Sequence, residues 1–513
     1  MAAVSHREIL RILAGIVPGM LLAALDQTII TTALPTMAAE LGGVEHLSWV
    51  VSIYLLTATA STPIYGKLSD LYGRRGLLQG AIAIFLLGSA LAALAQTMPQ
   101  LIGARALQGL GGGGLITLAQ TVIADYVSPR ERGRYQAYLS GVWATASVGG
   151  PVLGGLFVDH LSWRWVFWIN LPIGGLALLL CWLALRHLPQ HYERRSIDCL
   201  GALLLTLGVA ALLLVAAWGG TQFPWGSAPI LGLGAAGLLL LLAFALQELR
   251  APEPILPPRL FRNDIFRIAN LCGAVVAMVM FGTTMLVPIF LQLVDGMSAG
   301  ASGLLLAPLT GGSVVGAFSA GQIMRATGRY KRQPLVGLSL ATLALILLAA
   351  MTAGTPPALI GAALALLGAG IGATFPVMLV AVQNAAEPRD IGAATSAVNF
   401  FRSMGGSFGA AILWSVLIIA FTRELAGSGG AGLPESGLAL LQGGAEAFAQ
   451  LSPALRAVVV PALAGAFHAV FAATAVLSLI GLGVASLLHE QPLRTTPAAI
   501  PPPQRAAERL SAD

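Results

Sequence analysis

One carboxylate stands deep inside the first long apolar segment of the chain. Asp26 lies in the stretch LDQTIITTALP at 25–35, more than a dozen residues into that segment. An acid at membrane depth costs about 2.5–3.5 kcal/mol on insertion scales, so its presence there indicates a function. The first question is which cation or proton this carboxylate binds.

A second charged residue, Arg105, offers a means of controlling Asp26. Arg105 and Gln108 are three residues apart on an expected helix and therefore share a face. A guanidinium beside a carboxylate changes the proton affinity of the acid, and so does a change in burial. If a conformational change alters the distance between Arg105 and Asp26 or the burial of Asp26, the same carboxylate can load a proton on one side of a membrane and release it on the other. We therefore predict that Asp26 and Arg105 couple proton movement to the function.

Two simpler interpretations of these residues stay open. Arg105 also suits a buried donor to backbone carbonyls, and Asp26 a helix-packing hydrogen bond with Thr28 or a neighbouring span.

The composition indicates the surroundings that must hold these side chains. Of 513 residues, 57% are hydrophobic and only 10% are charged, which excludes a single soluble core and indicates a polytopic membrane protein. Because a span needs roughly 20 mostly apolar residues, the sequence predicts fourteen spans and places both termini on one side. They lie near 12–36, 47–66, 77–96, 99–123, 135–158, 165–185, 199–218, 228–248, 268–293, 300–324, 334–353, 357–382, 391–421 and 466–488.

The placement of Lys and Arg predicts the orientation of the chain. With alternate loops assigned to opposite sides, 23 of the 28 basic residues fall on the side of the termini. Three fall opposite (Arg164, Arg423 and Arg456), and Arg105 and Arg402 fall within spans. Basic loops favour the cytoplasm, so we expect cytoplasmic termini and a bacterial inner (plasma) membrane location. The orientation of the chain in the membrane thus accounts for its net charge of +6, and we expect no nucleic-acid binding.

Internal repeats divide the chain into two halves. LIGAR at 101–105 recurs as LIGAA at 359–363, and SPRERG at 128–133 recurs as EPRDIG at 387–392, at offsets of 258 and 259 residues. Such parallel repeats indicate two bundles of six spans. The expected domains are a first bundle (1–190), two inserted spans (191–250), a Pro-rich cytoplasmic linker (251–267), a second bundle (268–489) with an external loop at 422–465, and a disordered cytoplasmic tail (490–513).

Four motifs carry a resemblance to a known family. GKLSDLYGRRGLL at 66–78 is similar to the signature loop of the major facilitator superfamily. LDQTIITTALP, LIGARALQGLGGG at 101–113 and GGPVLGG at 149–155 resemble the first-, fourth- and fifth-span motifs of its fourteen-helix drug:proton antiporter family. The resemblance implies an all-α major facilitator fold with two six-helix bundles plus two extra central helices. It also implies multidrug efflux by proton antiport, a route to antibiotic resistance.

The loop at 66–78 also has a direct physical interpretation. Its glycines permit close helix approach and a tight turn, and Asp70 is suited to a helix N-terminus, where negative charge is favoured. Arg74 can bridge Asp70 and Asp125. The resemblance implies a cytoplasmic gate or latch between the halves, although Lys67, Arg74 and Arg75 also suit simple topological anchors. The predicted latch residues are Gly66, Asp70, Gly73, Arg74, Arg75 and Asp125.

Two departures from the family patterns concern these motifs. Ala146 stands where the fifth-span pattern usually begins with Gly, and the second-half copy of the signature loop has Arg325 in place of Asp70. We therefore expect the first half to hold the more complete gate. The antiporter helix motif itself comprises Gly150, Pro151, Gly154 and Gly155, whose small residues and proline suit a tight, bent crossing that resists leakage.

Polar residues within the spans are candidates for a substrate cavity. Arg402 either attracts an anionic substrate or stabilises the second half, and the sequence leaves both open. Because Asp26 is the only acid placed deep within a span, dedicated recognition of dications is disfavoured. The cavity candidates are Gln27, Gln108, Asn270, Gln292, Asn399 and Arg402.

Several classes of function are not expected. The glycines at 111–114 lack the Lys-Ser/Thr ending of a phosphate-binding loop, so we expect no nucleotide binding and no ATPase activity. We expect a transporter rather than an enzyme, with no metal, no cofactor, and protons as the coupling ion. The expected partners are small hydrophobic substrates and the lipid bilayer, with a periplasmic adaptor protein at 422–465 as a further candidate. A lipid or endogenous-metabolite exporter, a membrane subunit of an adaptor-linked efflux complex and a uniporter remain alternatives.

Overall fold

The protein is built from long helices packed side by side. The computed structural model describes residues 6–43, 46–186, 197–352, 354–427, 441 and 451–496. In this part of the chain, fourteen helical segments are long and apolar enough to cross a membrane. The prediction of a polytopic all-α protein with fourteen spans is therefore confirmed.

The helices fall into three groups along the chain. The first half contains α1 (His6–Leu41), α2 (Leu47–Tyr72), α3 (Arg74–Ala93), α4 (Met98–Tyr126), α5 (Pro129–His160), and α6 (Trp165–Trp168) with α7 (Asn170–Leu185), which together make one span. The inserted helices are α8 (Cys199–Trp218) and α9 (Ala228–Glu248), followed by the short α10 (Pro258–Phe261). The second half contains α11 (Asp264–Leu293), α12 (Ala299–Leu304), α13 (Ala307–Thr327), α14 (Arg332–Ala349), α15 (Pro357–Ala385), α16 (Ile391–Gly427) and α17 (Pro453–Ser486).

The helices extend past several of the predicted limits. Helix α16 continues to Gly427 and α17 begins at Pro453, so the ends of the predicted external loop at 422–465 are helical. Hydropathy reports only the part of a helix that lies in hydrocarbon, whereas the backbone bonds continue into the headgroup region. Half of that loop, at 428–440 and 442–450, lies outside the described residues, and adaptor binding there stays a prediction.

The prediction of a disordered tail beginning at residue 490 is wrong for its first residues. The Arg494 backbone N–H donates to Asn384 Oδ1 at 3.1 Å, and the Asn384 amide donates to the Pro492 carbonyl at 3.3 Å. Leu493 is buried. Hydrogen bonds with the end of α15 thus hold the chain as far as Arg494, and residues 497–513 lie outside the described part.

The two halves repeat one packing pattern. In the first half α1 packs on α5 and α7, and α4 packs on α2 and α3. In the second half α11 packs on α16 and α17, and α15 packs on α13 and α14. We call the side where α1 begins and α17 ends the terminal face, and the other side the opposite face. Contacts of α2 with α16 and of α5 with α13 join the halves along two seams.

Glycines bring helices of one half into backbone contact. A Cβ atom on Gly368 of α15 would lie 2.0 Å from the Leu309 carbonyl oxygen of α13, and one on Gly372 would lie 2.0 Å from that of Ser313. From the other side, a Cβ atom on Gly312 would lie 2.1 Å from the Ala365 carbonyl oxygen. Small residues four apart on both helices therefore set the separation of α13 and α15.

The inserted helices cover one seam. Helix α8 contacts both α2 and α16. Near the opposite face, Trp218 packs edge-on against Trp49 with ring centroids 5.6 Å apart, and Trp225 donates to Ser415 Oγ at 2.8 Å. At the terminal face, Lys67 forms a 2.6 Å ion pair with Glu253 in the linker. The inserted pair is thus attached to both halves.

The other seam carries a groove. Between α5 and α13 a space of about 250 Å³ is lined by Arg134, Tyr138, Val314, Val315 and Phe318. The side chains of Tyr138, Val315 and Phe318 are about half exposed. This seam is therefore open along part of its length.

The α13–α15 contact can be tested by a paired substitution. We expect Gly368→Ala to lower stability by about 1–3 kcal/mol, because the added methyl group overlaps a carbonyl oxygen and forces the helices apart. Gly361→Ala is the matched control on the same helix, since its Cβ meets only side chains at 3.6 Å or beyond. The thermal unfolding temperature of the purified protein checks both. Equal melting temperatures for the two variants would contradict the packing argument.

Candidate functional site

Asp26 lies at the centre of a sealed polar cluster. Its side chain is fully buried, and Oδ2 lies 2.5 Å from Nη1 of Arg105. Oδ1 accepts hydrogen bonds from Gln108 Nε2 at 2.8 Å and from Asn170 Nδ2 at 3.2 Å. Both carboxylate oxygens are therefore bonded, and helices α1, α4 and α7 meet at this acid.

Arg105 contacts groups on both α2 and α4 in the same pocket. Its Nε donates to the Val50 carbonyl at 3.2 Å, and Nη1 donates to Gln108 Oε1 at 2.7 Å. The guanidinium lies 4.3 Å from the ring centroid of Tyr54 on α2. The structure thus combines the two interpretations that the sequence left open, because Arg105 pairs with Asp26 and also donates to a backbone carbonyl.

Other contacts around Asp26 differ from the simplest expectation. Thr28 does not bond Asp26; its hydroxyl donates to backbone carbonyls, including that of Ala146 at 2.8 Å. Asn170 was missed by the sequence reasoning, although a single amide at the start of the apolar span α7 was an available signal. Asn170 also donates to Ser89 Oγ at 3.0 Å, which ties the cluster to α3.

This arrangement isolates the Asp26–Arg105 pair from solvent. The carboxylate and guanidinium are both removed from solvent, and separating such a pair without replacement partners costs about 3–5 kcal/mol. Access of solvent to Asp26 therefore requires a movement of α1 relative to α4. The partners of this carboxylate thus depend on the conformation of the first half.

The antiporter helix motif packs against the helix that carries Asp26. A Cβ atom on Gly150 would lie 2.1 Å from Thr28 Oγ1, and one on Gly154 would lie 2.1 Å from Thr32 Oγ1. Gly155 faces open space, and Pro151 is exposed. Two of the four motif residues therefore set the contact between α5 and α1, and the other two lie away from it.

Asp70 joins the two halves at the terminal face. Its Oδ1 accepts from the Gly392 N–H at 2.9 Å, and its Oδ2 accepts from the Ala393 N–H at 2.8 Å. These groups belong to the first turn of α16, where unpaired N–H groups and the helix dipole favour an anion. A first-half carboxylate thus caps a second-half helix, a partner that the sequence alone did not identify.

The rest of the predicted latch is centred on Arg74. The structure contains the expected bridge, with Arg74 Nη2 at 2.7 Å from Asp70 Oδ1 and Arg74 Nε at 2.9 Å from Asp125 Oδ2. Gly73 has φ +84°, a conformation that favours glycine. A Cβ atom on Gly66 would lie 2.1 Å from Ser396 Oγ, so this glycine permits contact between α2 and α16. Arg75 takes part in none of these contacts.

The second-half copy of the signature loop also joins the two halves, but with an arginine in place of the acid. Gly321 and Gly133 meet so closely that a Cβ atom on Gly321 would lie 2.4 Å from the Gly133 carbonyl oxygen. Arg325, which replaces the acid, pairs with Glu131 at 2.9 Å, and Arg130 donates to the Arg325 carbonyl at 2.9 Å. Both seams are therefore closed at the terminal face, the first by a buried acid and the second by exposed arginines.

The cavity candidates have separate locations. Gln108 belongs to the Asp26 cluster, Asn270 donates to the Phe266 carbonyl of its own helix, and Gln292 donates to Ser302 Oγ near the opposite face. Asn399 crosses between the halves, where its amide donates to Thr117 and Gln120 of α4. Gln27 and Arg402 are partly exposed.

The latch can be tested by its cross-half bond. We expect Asp70→Asn to remove about 1–2 kcal/mol of contact between the halves, which raises the population separated at the terminal face roughly 5- to 30-fold. Spin labels at Gly76 and Arg389, both exposed, would report the separation as a distance distribution. Asp125→Asn is the control, since it breaks an Arg74 pair within one half. A larger effect of the control would contradict the cross-half role of Asp70.

Comparisons with known proteins place this geometry in a family. A model described as Major Facilitator Superfamily matches residues 16–198 and 200–410. An uncharacterized transporter of the major facilitator type from Mycobacterium tuberculosis is 40% identical over 490 residues, covering 94% of this chain and 70% of that protein. Multidrug transporter protein MdtP of Bacillus subtilis is 36% identical over 406 residues, covering 79% of this chain and 75% of that protein. Multidrug resistance protein 3 of the same organism is 35% identical over 416 residues, covering 81% and 80%.

Solved structures agree with this on the fold. The human organic anion transporter MFSD10 has a TM-score of 0.64 at 16% identity, covering 94% of this chain and all of that chain. The proton:xylose symporter XylE has a TM-score of 0.59 at 15% identity, covering 94% and 96%. The two six-helix bundles with an inserted pair of helices, the motifs at their seams and the family match lead to one conclusion: the chain belongs to the major facilitator superfamily of membrane transporters.

Proposed function

We propose that the protein exports hydrophobic or amphiphilic small molecules in exchange for protons, by alternating access between its two halves. The observation that carries the proposal is the sealed cluster of Asp26, Arg105 and Gln108 within a transporter whose seams are closed at the terminal face. Relatives named as multidrug transporters support the substrate class.

The direction of export depends on which face is cytoplasmic. The terminal face carries most of the basic residues, which favours the cytoplasm. In the proposed orientation, within a bacterial plasma membrane, the latch at Asp70 closes the protein towards the cytoplasm and leaves the opposite face as the side of release.

The proposed cycle alternates the partners of one carboxylate. In the closed arrangement Arg105 and Gln108 satisfy Asp26, so the acid needs no proton. A rearrangement that separates α1 from α4 would remove these partners, and protonation of Asp26 then stabilises the separated arrangement because it removes a buried charge. One proton per cycle supplies about 2.3 kcal/mol per 100 mV, which corresponds to roughly a 50-fold concentration ratio.

The coupling role can be measured in proteoliposomes under an imposed pH gradient. We expect Asp26→Asn to abolish gradient-driven exchange of a fluorescent amphiphile, because the amide cannot carry the proton. The double variant Asp26→Asn/Arg105→Gln removes both charges and separates loss of coupling from the cost of an unpaired guanidinium. Asp159→Asn, at an exposed acid near the opposite face, is the matched control.

The results distinguish coupling from structure. We expect the double variant to fold, to let substrate equilibrate and to move no protons. Full gradient-driven exchange by a folded Asp26→Asn protein would rule out Asp26 as the coupling acid. Transport by the unmodified protein without any substrate-dependent proton movement would instead indicate a uniporter.

The proposed orientation can be tested with the native thiols. Cys199 begins α8 at the terminal face and is exposed, whereas Cys181 and Cys272 are buried. We expect a membrane-impermeant maleimide to label Cys199 in inside-out vesicles and not in intact cells. A Cys199→Ser/Gly226→Cys protein should show the reverse, since Gly226 is exposed between α8 and α9 at the opposite face. Labelling of Cys199 in intact cells would invert the assigned orientation.

A further inference from the structure

Arg402 has a depth and an environment that distinguish it from the other arginines. It lies 11 residues from the start of α16, or about 17 Å from the terminal end of that helix. Its guanidinium carbon is 5.6 Å from the ring centroid of Phe375 on α15. Within the described part of the chain, Arg402 makes no ion pair or hydrogen bond. Both Arg402 and Phe375 are partly exposed.

The position of Arg402 on α16 places it beside the contact between the halves. Asn399, three residues nearer the terminal face, donates to Thr117 at 3.2 Å and to Gln120 at 2.7 Å on α4 of the first half. Arg402 is about 60° around the helix from Asn399 and nearly one turn deeper. The guanidinium therefore lies just beyond the point where α4 and α16 meet, on the side of the opposite face.

Arg402 lies deep within a span without a matching acid in the described residues. Asp26 and Arg105 form a fully buried pair and cancel each other. Arg402 has no such partner in the described residues, so its positive charge is left uncompensated at membrane depth. A cation in that position is unfavourable unless water or an anion reaches it. An anionic ligand would relieve this cost, whereas a cationic ligand would add to it.

The neighbouring groups define the kind of anion. A planar guanidinium binds a carboxylate or sulfonate through two parallel hydrogen bonds. The Phe375 ring beside it favours an aromatic or apolar body on the same molecule. One turn away, Asn399 Oδ1 is buried without a hydrogen-bond partner in the described residues, so an acceptor is available to a hydroxyl or N–H group of the ligand.

We propose that Arg402, with Phe375 and Asn399, forms the substrate subsite of the second half and selects amphiphilic monoanions, such as aromatic carboxylates. This proposal rests on the proposed export function, and it assigns the substrate to a half different from the one that holds the proton site. Proton and substrate would then occupy separate charged groups, Asp26 and Arg402, rather than compete for one carboxylate.

A matched ligand pair tests the subsite at equilibrium. Radiolabelled 1-naphthaleneacetate carries the carboxylate, and 1-naphthaleneacetamide is its neutral isostere. We expect the purified protein in nanodiscs, in a scintillation proximity assay, to bind the acid about tenfold or more tightly than the amide, the factor expected of one charge-assisted hydrogen bond. Arg402→Gln should remove that difference and leave binding of the amide unchanged, and Arg402→Lys should retain part of it.

Control variants separate recognition from folding. Arg11→Gln replaces an exposed arginine at the terminal face and should leave both affinities unchanged. Phe375→Leu should weaken both ligands together, because it alters the apolar wall and not the charge. Equal binding of acid and amide by the unmodified protein, or a preference for the acid that survives Arg402→Gln in a folded protein, would overturn the subsite.

The binding assay needs no proton gradient, so it is independent of the coupling proposal. A protein that prefers the acid through Arg402 but exports neither ligand would refute the export function and leave the anion subsite standing. Gradient-driven export of the acid and of a cationic dye alike, with export of the acid unchanged by Arg402→Gln, would support the export function and overturn the subsite.

Discussion

The buried ion pair between Asp26 and Arg105 is the interaction on which the first half depends. In hydrocarbon neither charge is tolerated alone, and the pair is acceptable only because Gln108, Asn170 and the Val50 carbonyl satisfy the remaining polar atoms. These partners come from α4, α7 and α2, and Asp26 itself lies on α1, so one ion pair connects four helices. The glycines of α5 also help to position the acid, because they allow α5 to pack closely against α1, the helix that carries Asp26.

The contacts between the halves follow a pseudo-twofold pattern with unequal chemistry. Each seam has a glycine pair that permits backbone contact, Gly66 with Gly392 and Gly133 with Gly321. On the first seam a buried carboxylate caps the start of α16. An arginine in the equivalent position cannot cap a helix N-terminus, so the second seam uses an exposed ion pair, which contributes little in water. Of these two polar contacts, the buried one at Asp70 is therefore expected to contribute more to closure.

Sequence reasoning identified the features that depend on local pattern. Apolar runs gave the fourteen spans, and the charges of Arg74, Asp70 and Asp125 indicated a bridge that the structure contains. Contacts between distant segments were not accessible in this way. The Gly392 N–H that binds Asp70 is more than 300 residues away along the chain. Neither motif contains a feature that identifies the other as its partner. The ends of α16 and α17 and the packed residues 490–496 were missed because hydropathy measures immersion in hydrocarbon and not helix continuity or polar packing at the surface.

The inserted helices α8 and α9 make the two sides of the molecule unequal towards the bilayer. They cover the seam between α2 and α16, where their tryptophans and the Lys67–Glu253 pair attach them to the bundle. The seam between α5 and α13 has no such cover in the described residues and keeps an apolar groove with Arg134 at its terminal-face end. A two-bundle protein without the insertion would present two uncovered seams to the bilayer. In its described residues this chain presents one, so lipid can lie directly against the contact between the halves on a single side of the molecule.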